Sequence, residues 1–206
     1  MLNSSNDIKF ARVHINPIAQ MKNIAILASG SGTNAEAIAN HLANHFSLNV
    51  CLIAANKSDA YVLTRAKNLG ITSTVFNRKD LENGSLIEEL KFHKIDYVVL
   101  AGFLLKIPPV LITAFPNRII NIHPALLPKY GGKGMYGERV HQAVIENKES
   151  VSGITIHYVN EHFDKGEIIH KRECKVSEFD TPTTLAAKIH ELEHKYFPQQ
   201  IEKLWG

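Results

Sequence analysis

Cysteine is scarce in this chain: Cys51 and Cys174 are the two thiols among 206 residues. They lie far apart in apolar-rich stretches, so neither a disulfide framework nor a zinc site is expected from them, and a reducing, cytoplasmic compartment is the default. No run of about 18 apolar residues occurs, which excludes a membrane-spanning helix in this reading. An excess of one charge is lacking too. The 23 Lys+Arg against 20 Asp+Glu leave +3 with no basic block, too little clustered charge for a dedicated nucleic-acid binder. What is present is ordinary: 45% hydrophobic and 21% charged residues, the proportions of a soluble globular protein rather than a disordered or fibrous one. The length suits one domain with a short appendage. Eleven histidines make the net charge climb as pH falls through about 6.5.

Residues 1–20 read differently from the rest. The segment is polar and irregular, with Asn-Ser-Ser-Asn near its head and Pro17 near its end, and it lacks the continuous apolar core of a secretory signal. It is expected to be an irregular N-terminal extension, with the working domain over residues 21–206. From Met21 onward short apolar runs at 23–28, 49–54, 96–101 and 118–122 alternate with helical patterns at 34–45, 60–68 and 86–94. Such runs read as strands buried on both faces of a largely parallel sheet, joined by right-handed crossovers. After Pro128 the rhythm changes: a glycine-rich loop, a helix over 138–146, then strands at 153–159 and 168–176 joined by a short turn, which suggests an antiparallel pair. Thr181-Pro182 opens a last helix. The fold class is therefore α/β: a Rossmann-like, mixed but mostly parallel sheet with helices on both faces.

Two constellations carry chemistry. Ser29-Gly30-Ser31-Gly32-Thr33-Asn34 joins the first strand to the first helix, where glycines admit an anion to unpaired helix N–H groups. Thr33 and Glu36 fit a capping box. The stretch also matches G-x-G-x-x-A, but no acid closes the second strand as a dinucleotide site requires, so a phosphomonoester is the expected ligand. A tight capped turn is the plainer alternative. The second constellation is Asn121-Ile122-His123-Pro124 at the C-terminal end of a strand, the edge where open α/β sheets bind ligands. Alternation sends Asn121 and His123 to one side. An amide and an imidazolium there suit a developing oxyanion, and a carboxylate, with Asp164 the candidate, would keep the ring charged. On spacing alone, a strand-end histidine satisfied by a backbone carbonyl is the favoured reading.

The ordered series Ile26–Asn34, Val98–Phe103, Asn121–Pro128, Gly153–Val159 and Asp164–Ile169 resembles the phosphoribosylglycinamide formyltransferases, folate-dependent enzymes of purine synthesis, over most of residues 21–200. The resemblance implies a transferase that moves the formyl group of 10-formyltetrahydrofolate, a cosubstrate, onto the amine of phosphoribosylglycinamide through a tetrahedral adduct, with no metal. It implies Asn121, His123 and Asp164 as catalytic residues; Gly32, Thr33, Asn34 and Glu193 as the ribotide site; and Leu104, Leu105, Lys106 and Ile107, with Asn121, as the folate site. Family members often carry a basic residue where Leu105 stands. Arg78 or Lys79 is a candidate for the folate tail. Small-molecule substrates are the implied partners, with no nucleic acid or membrane, in a cytoplasmic monomer or homodimer. The loop over residues 129–139 is longer and richer in glycine than the typical form, as a lid over the substrates or an inert insertion.

Related readings are formyltetrahydrofolate hydrolase and methionyl-tRNA formyltransferase, for whose extra domains the chain has no evident room, and a non-catalytic phosphate-binding module. His190-Glu191-Leu192-Glu193-His194 matches the H-E-x-x-H zinc signature. A catalytic zinc needs a third protein ligand, and Gln200 stands where the longer motif requires histidine. No metal is expected there. His41 and His45, also four apart, read as solvated helix residues.

Overall fold

The structure, a computed structural model, describes residues 20–206; the expected extension over residues 1–20 lies, apart from Gln20, outside them. The chain runs β1 (Lys22–Ala28), α1 (Thr33–Leu42), β2 (Leu48–Ala55), α2 (Val62–Asn68), β3 (Thr72–Val75), α3 (Arg78–Asn83), α4 (Ser85–Phe92), β4 (Tyr97–Leu100), α5 (Pro109–Ala114), β5 (Ile119–His123), α6 (Glu138–Glu146), β6 (Val151–Tyr158), β7 (Ile168–Lys175) and α7 (Pro182–Trp205). One sheet takes the order β3-β2-β1-β4-β5-β6-β7. Pairings through β5 are parallel; β6 and β7 add antiparallel, as the change of rhythm after Pro128 predicts.

The apolar runs are short because each strand is covered on both faces. Ile24, Ile26 and Ala28 pack with Ile38 of α1 and Leu185 and Ile189 of α7. Their alternates Ala25 and Leu27 pack with Leu86 and Leu90 of α4 and Leu111 of α5. Truncating a core side chain such as Ile26, fully buried, to alanine would cost about 2–5 kcal/mol.

Three elements escape the sequence pattern. The edge strand β3 is Thr-Ser-Thr-Val and largely exposed, so it has no apolar run. The helices α3 and α5 span six residues each, too short for a helical period to show. The capping box expected at Thr33 and Glu36 does not form. Gly32 is the N-cap, left-handed at φ 76° and without a side-chain cap; Thr33 is already helical, and the Glu36 carboxylate pairs with Arg65 instead. At α7 the expected start holds, with Thr181 capping Thr184 and Pro182 in the first turn.

Candidate active site

The C-terminal ends of β1, β4 and β5 open onto a cavity of about 920 Å³, within the usual size of small-molecule sites, roughly 300–1,000 Å³. One wall is the turn after β1. Gly32 is required there twice over: its φ is left-handed, and a Cβ would lie 2.3 Å from a Val62 methyl. The turn is held from outside. Arg65 Nε donates to the Ser31 carbonyl at 2.9 Å, and the Val62 N–H donates to the Gly30 carbonyl at 3.1 Å. The Leu104 N–H donates to Ser29 Oγ at 3.0 Å, which couples the turn to the segment after β4. Gly32, Thr33 and Asn34 face the cavity, as does Glu193 from α7.

Asn34 Nδ2 donates to Glu193 Oε2 at 2.8 Å. Burial raises the Glu193 carboxyl to about 7, with the Asn34 amide opposing the shift. Asn34 Oδ1, buried, has no partner: an acceptor left for a ligand donor. Sequence reasoning did not single out His141 of α6, also on this wall. Its Nδ1 is buried without a partner, and burial, followed by the charges of His190 and His123, lowers the ring to about 4. Its place in an amphipathic helix gave no signal of cavity exposure.

At the other end Asn121, His123 and Asp164 converge. His123 is buried, with Nδ1 3.7 Å from Asp164 Oδ2 and Nε2 donating to the Tyr130 carbonyl at 2.7 Å. His157, which in the sequence stands only within the Gly153–Val159 stretch, completes the cluster. Its Nδ1 donates to the Tyr158 carbonyl at 2.8 Å, leaving Nε2 to accept from Asn121 Nδ2 at 3.2 Å. That bond fixes the Asn121 amide and leaves its second N–H free. The pairing of Asn121 with His157 across β5 and β6 was hidden because the two are 36 residues apart.

The electrostatics correct one expectation. Asp164 does not hold His123 charged at rest: burial lowers the ring's pKa by more than the Asp164 charge and the Tyr130 carbonyl raise it. Burial pushes the Asp164 carboxyl up, but the His157 ring, the charge of His123 and the Gly132 N–H hold it below its ordinary value. The resting pair is an ionised acid beside a largely neutral imidazole.

Between the two ends, Leu104, Leu105 and Lys106 line the cavity, with Arg78 across from them. Ile107, expected beside them, is instead buried in the core, where it borders a small adjoining recess. Lys79 is not among the lining residues. Lys133, Met135 and Tyr136 of the 129–139 segment form part of the wall. His190 and His194 stack with ring centroids 6.1 Å apart. Among the described residues no group of three or more His, Cys, Asp or Glu is arranged to hold a metal ion, and no helix is long and apolar enough to cross a membrane.

Comparison with known proteins points the same way. The model of the Formyl transferase family matches residues 22–201. The phosphoribosylglycinamide formyltransferase of Bacillus subtilis is 38% identical over 192 residues, covering 90% of this chain and 96% of that one. The chloroplastic phosphoribosylglycinamide formyltransferase of Arabidopsis thaliana is 40% identical over 87% of this chain, which spans 64% of that protein's length. The crystal structure of phosphoribosylglycinamide formyltransferase from Bacillus halodurans superposes with a TM-score of 0.81 at 38% identity, over 89% of this chain and 95% of that one. With matches of this length and identity beneath a shared sheet, the chain belongs to the formyl transferase family, among the phosphoribosylglycinamide formyltransferases.

Proposed function

We propose that the chain transfers the formyl group of 10-formyltetrahydrofolate to the amine of 5-phosphoribosylglycinamide, giving formylglycinamide ribotide and tetrahydrofolate in purine biosynthesis. The observation that carries this is one continuous cavity joining the Gly32 turn to the Asn121–His123–Asp164 cluster. The ribotide phosphate lies against the N–H groups at Gly32, Thr33 and Asn34, where the α1 dipole favours an anion. Glu193 and the free Asn34 Oδ1 take hydroxyl or amine donors of the same substrate. The folate ring lies along residues 104–106, near Asn121.

The amine attacks the formyl carbon, and the carbonyl oxygen becomes an oxyanion. The free N–H of Asn121 and a proton on His123 Nδ1 stabilise it where charge develops. Since burial keeps the resting ring neutral, the proton reaches Nδ1 as the amine loses one. Asp164, ionised 3.7 Å away, favours that charged ring only while the adduct exists. The adduct collapses by breaking the bond from carbon to the folate nitrogen, and His123 returns the proton to that nitrogen. A cytoplasmic setting belongs to the same reading, and both cysteines are free.

An absorbance assay of folate deformylation, run with and without the ribotide, tests the proposal. The expected result is turnover only with the acceptor, lost in His123→Ala. Turnover without acceptor would instead identify a hydrolase, and none with it a binding module.

A further inference from the structure

The 129–139 segment reaches back over the catalytic end through its backbone. The Tyr130 carbonyl accepts a hydrogen bond from His123 Nε2, and the Gly132 N–H donates to Asp164 Oδ2 at 2.8 Å. The approach is close: a Cβ on Gly131 would lie 2.5 Å from a Leu127 methyl and 3.3 Å from Asp164 Cβ. Tyr130 itself has φ 56°, a left-handed conformation unfavourable for a tyrosine that persists only where the surroundings hold it. The Tyr130 ring packs against the buried core, and its hydroxyl donates to Glu149 Oε1 at 2.9 Å. Glu149 is itself fixed, its N–H donating to the Val144 carbonyl at the end of α6. Lys129 Nζ reaches the same oxygen at 2.8 Å, but Lys129 is largely exposed, and such a pair holds little.

We propose that Tyr130 and Glu149 are positioning residues: their hydroxyl–carboxylate tether fixes the Tyr130 carbonyl on His123 Nε2, and so commits His123 to exchange its proton with substrate through Nδ1. A carbonyl can only accept, so while it sits on Nε2 the neutral ring carries its hydrogen there. Nδ1, beside Asp164 and the cavity, is then the one atom able to gain and lose a proton. The tether selects the tautomer, a duty that falls to the groups bonded to a catalytic histidine's other nitrogen.

The inference rests on the proposed role of His123 in formyl transfer, and its test separates the two. In protein labelled with nitrogen-15, the His123 ring should show one neutral tautomer with hydrogen on Nε2. Tyr130→Phe and Glu149→Ala should each introduce the Nδ1–H form and lower kcat by about tenfold, with both KM values within about twofold of wild type. The double variant should fall no further than the worse single, because both sever one bond. Glu149→Gln, which keeps an acceptor for the hydroxyl, should restore most of the loss. An unchanged tautomer with wild-type kcat in both single variants overturns the inference, as does a Gln variant as impaired as Ala. Wild-type turnover in His123→Ala would instead sink the formyl-transfer role, leaving the ring signal to judge the tether.

Discussion

Two carboxylates face the same cavity, and their surroundings push them in opposite directions. Asp164 lies among groups that lower its carboxyl against burial, the His157 ring first, then His123 and the Gly132 N–H. Glu193 has one neutral amide donor, Asn34, and burial raises it to about 7. Both are acids in a cleft; the count of donors decides the charge. An acid fixed in its anionic form can offset a positive charge that appears on His123 during reaction. One poised near neutrality can both accept and donate, which suits hydroxyls and an amine on a bound ribotide. Paired groups with pKa values driven apart fit the proposed function as a division of labour, with chemistry proposed at the Asp164 end and recognition at the Glu193 end.

Asp164→Asn should break that division most severely. The amide keeps an oxygen for the Gly132 N–H but loses the charge that favours protonated His123. Turnover should fall on the order of 10²–10⁴-fold, the range of a general acid–base contribution, with ribotide KM little changed. Steady-state kinetics with both substrates decide it; equal losses in kcat and ribotide affinity would erase the distinction between the ends.

Gly32→Ala probes the recognition end and should have a smaller effect on chemistry. The new methyl meets Val62 at 2.3 Å in a left-handed backbone, so the turn and α2 must shift apart. We expect ribotide KM to rise by about tenfold or more, as backbone donors lose their aim, and stability to fall by about 1–3 kcal/mol. Folate KM should barely move. Titration calorimetry with the ribotide and thermal melting measure the two effects separately.

These ends were unequally legible in the sequence. The parallel core shows itself because each two-faced strand must be a run of Val, Ile, Leu and Ala; β1 and β5 could be read to within a residue or two. Asn121 and His123 were visible for the same reason, being polar residues that end such a run. Asp164 is a candidate by its turn position, and only the resemblance gives it a role, since nothing local links it to a strand 41 residues earlier. His157 was hidden inside β6, where alternation alone gives a buried histidine no role. The capping box at Thr33 failed because Glu36 had a better partner, Arg65, on a different helix. Asp164 does raise the His123 ring as the sequence reading holds, but burial, the larger and opposing influence, is a tertiary quantity with no local signal.

The gentlest test leaves the chemistry intact and asks only whether Glu193 is as poised as its surroundings imply. Its carboxyl is raised from an ordinary 4.5 to about 7, so between those values the folded protein holds a proton that the unfolded chain has released. The stability this confers is complete below about 4.5 and is lost as pH rises through 7, where a buried anion remains. Glu193→Gln keeps the acceptor for Asn34 Nδ2 and cannot ionise. Its melting temperature should therefore gain on wild type between about pH 5 and 7 and level off above, by the equivalent of up to roughly 3 kcal/mol. Other titrating groups, His141 included, are common to both proteins and cancel in the difference. Ribotide KM should rise no more than about tenfold, a loss of about 1.4 kcal/mol, with kcat preserved. Parallel melting curves across that range would mean that Glu193 stays ionised like Asp164, and the contrast between the two ends of the cavity would vanish.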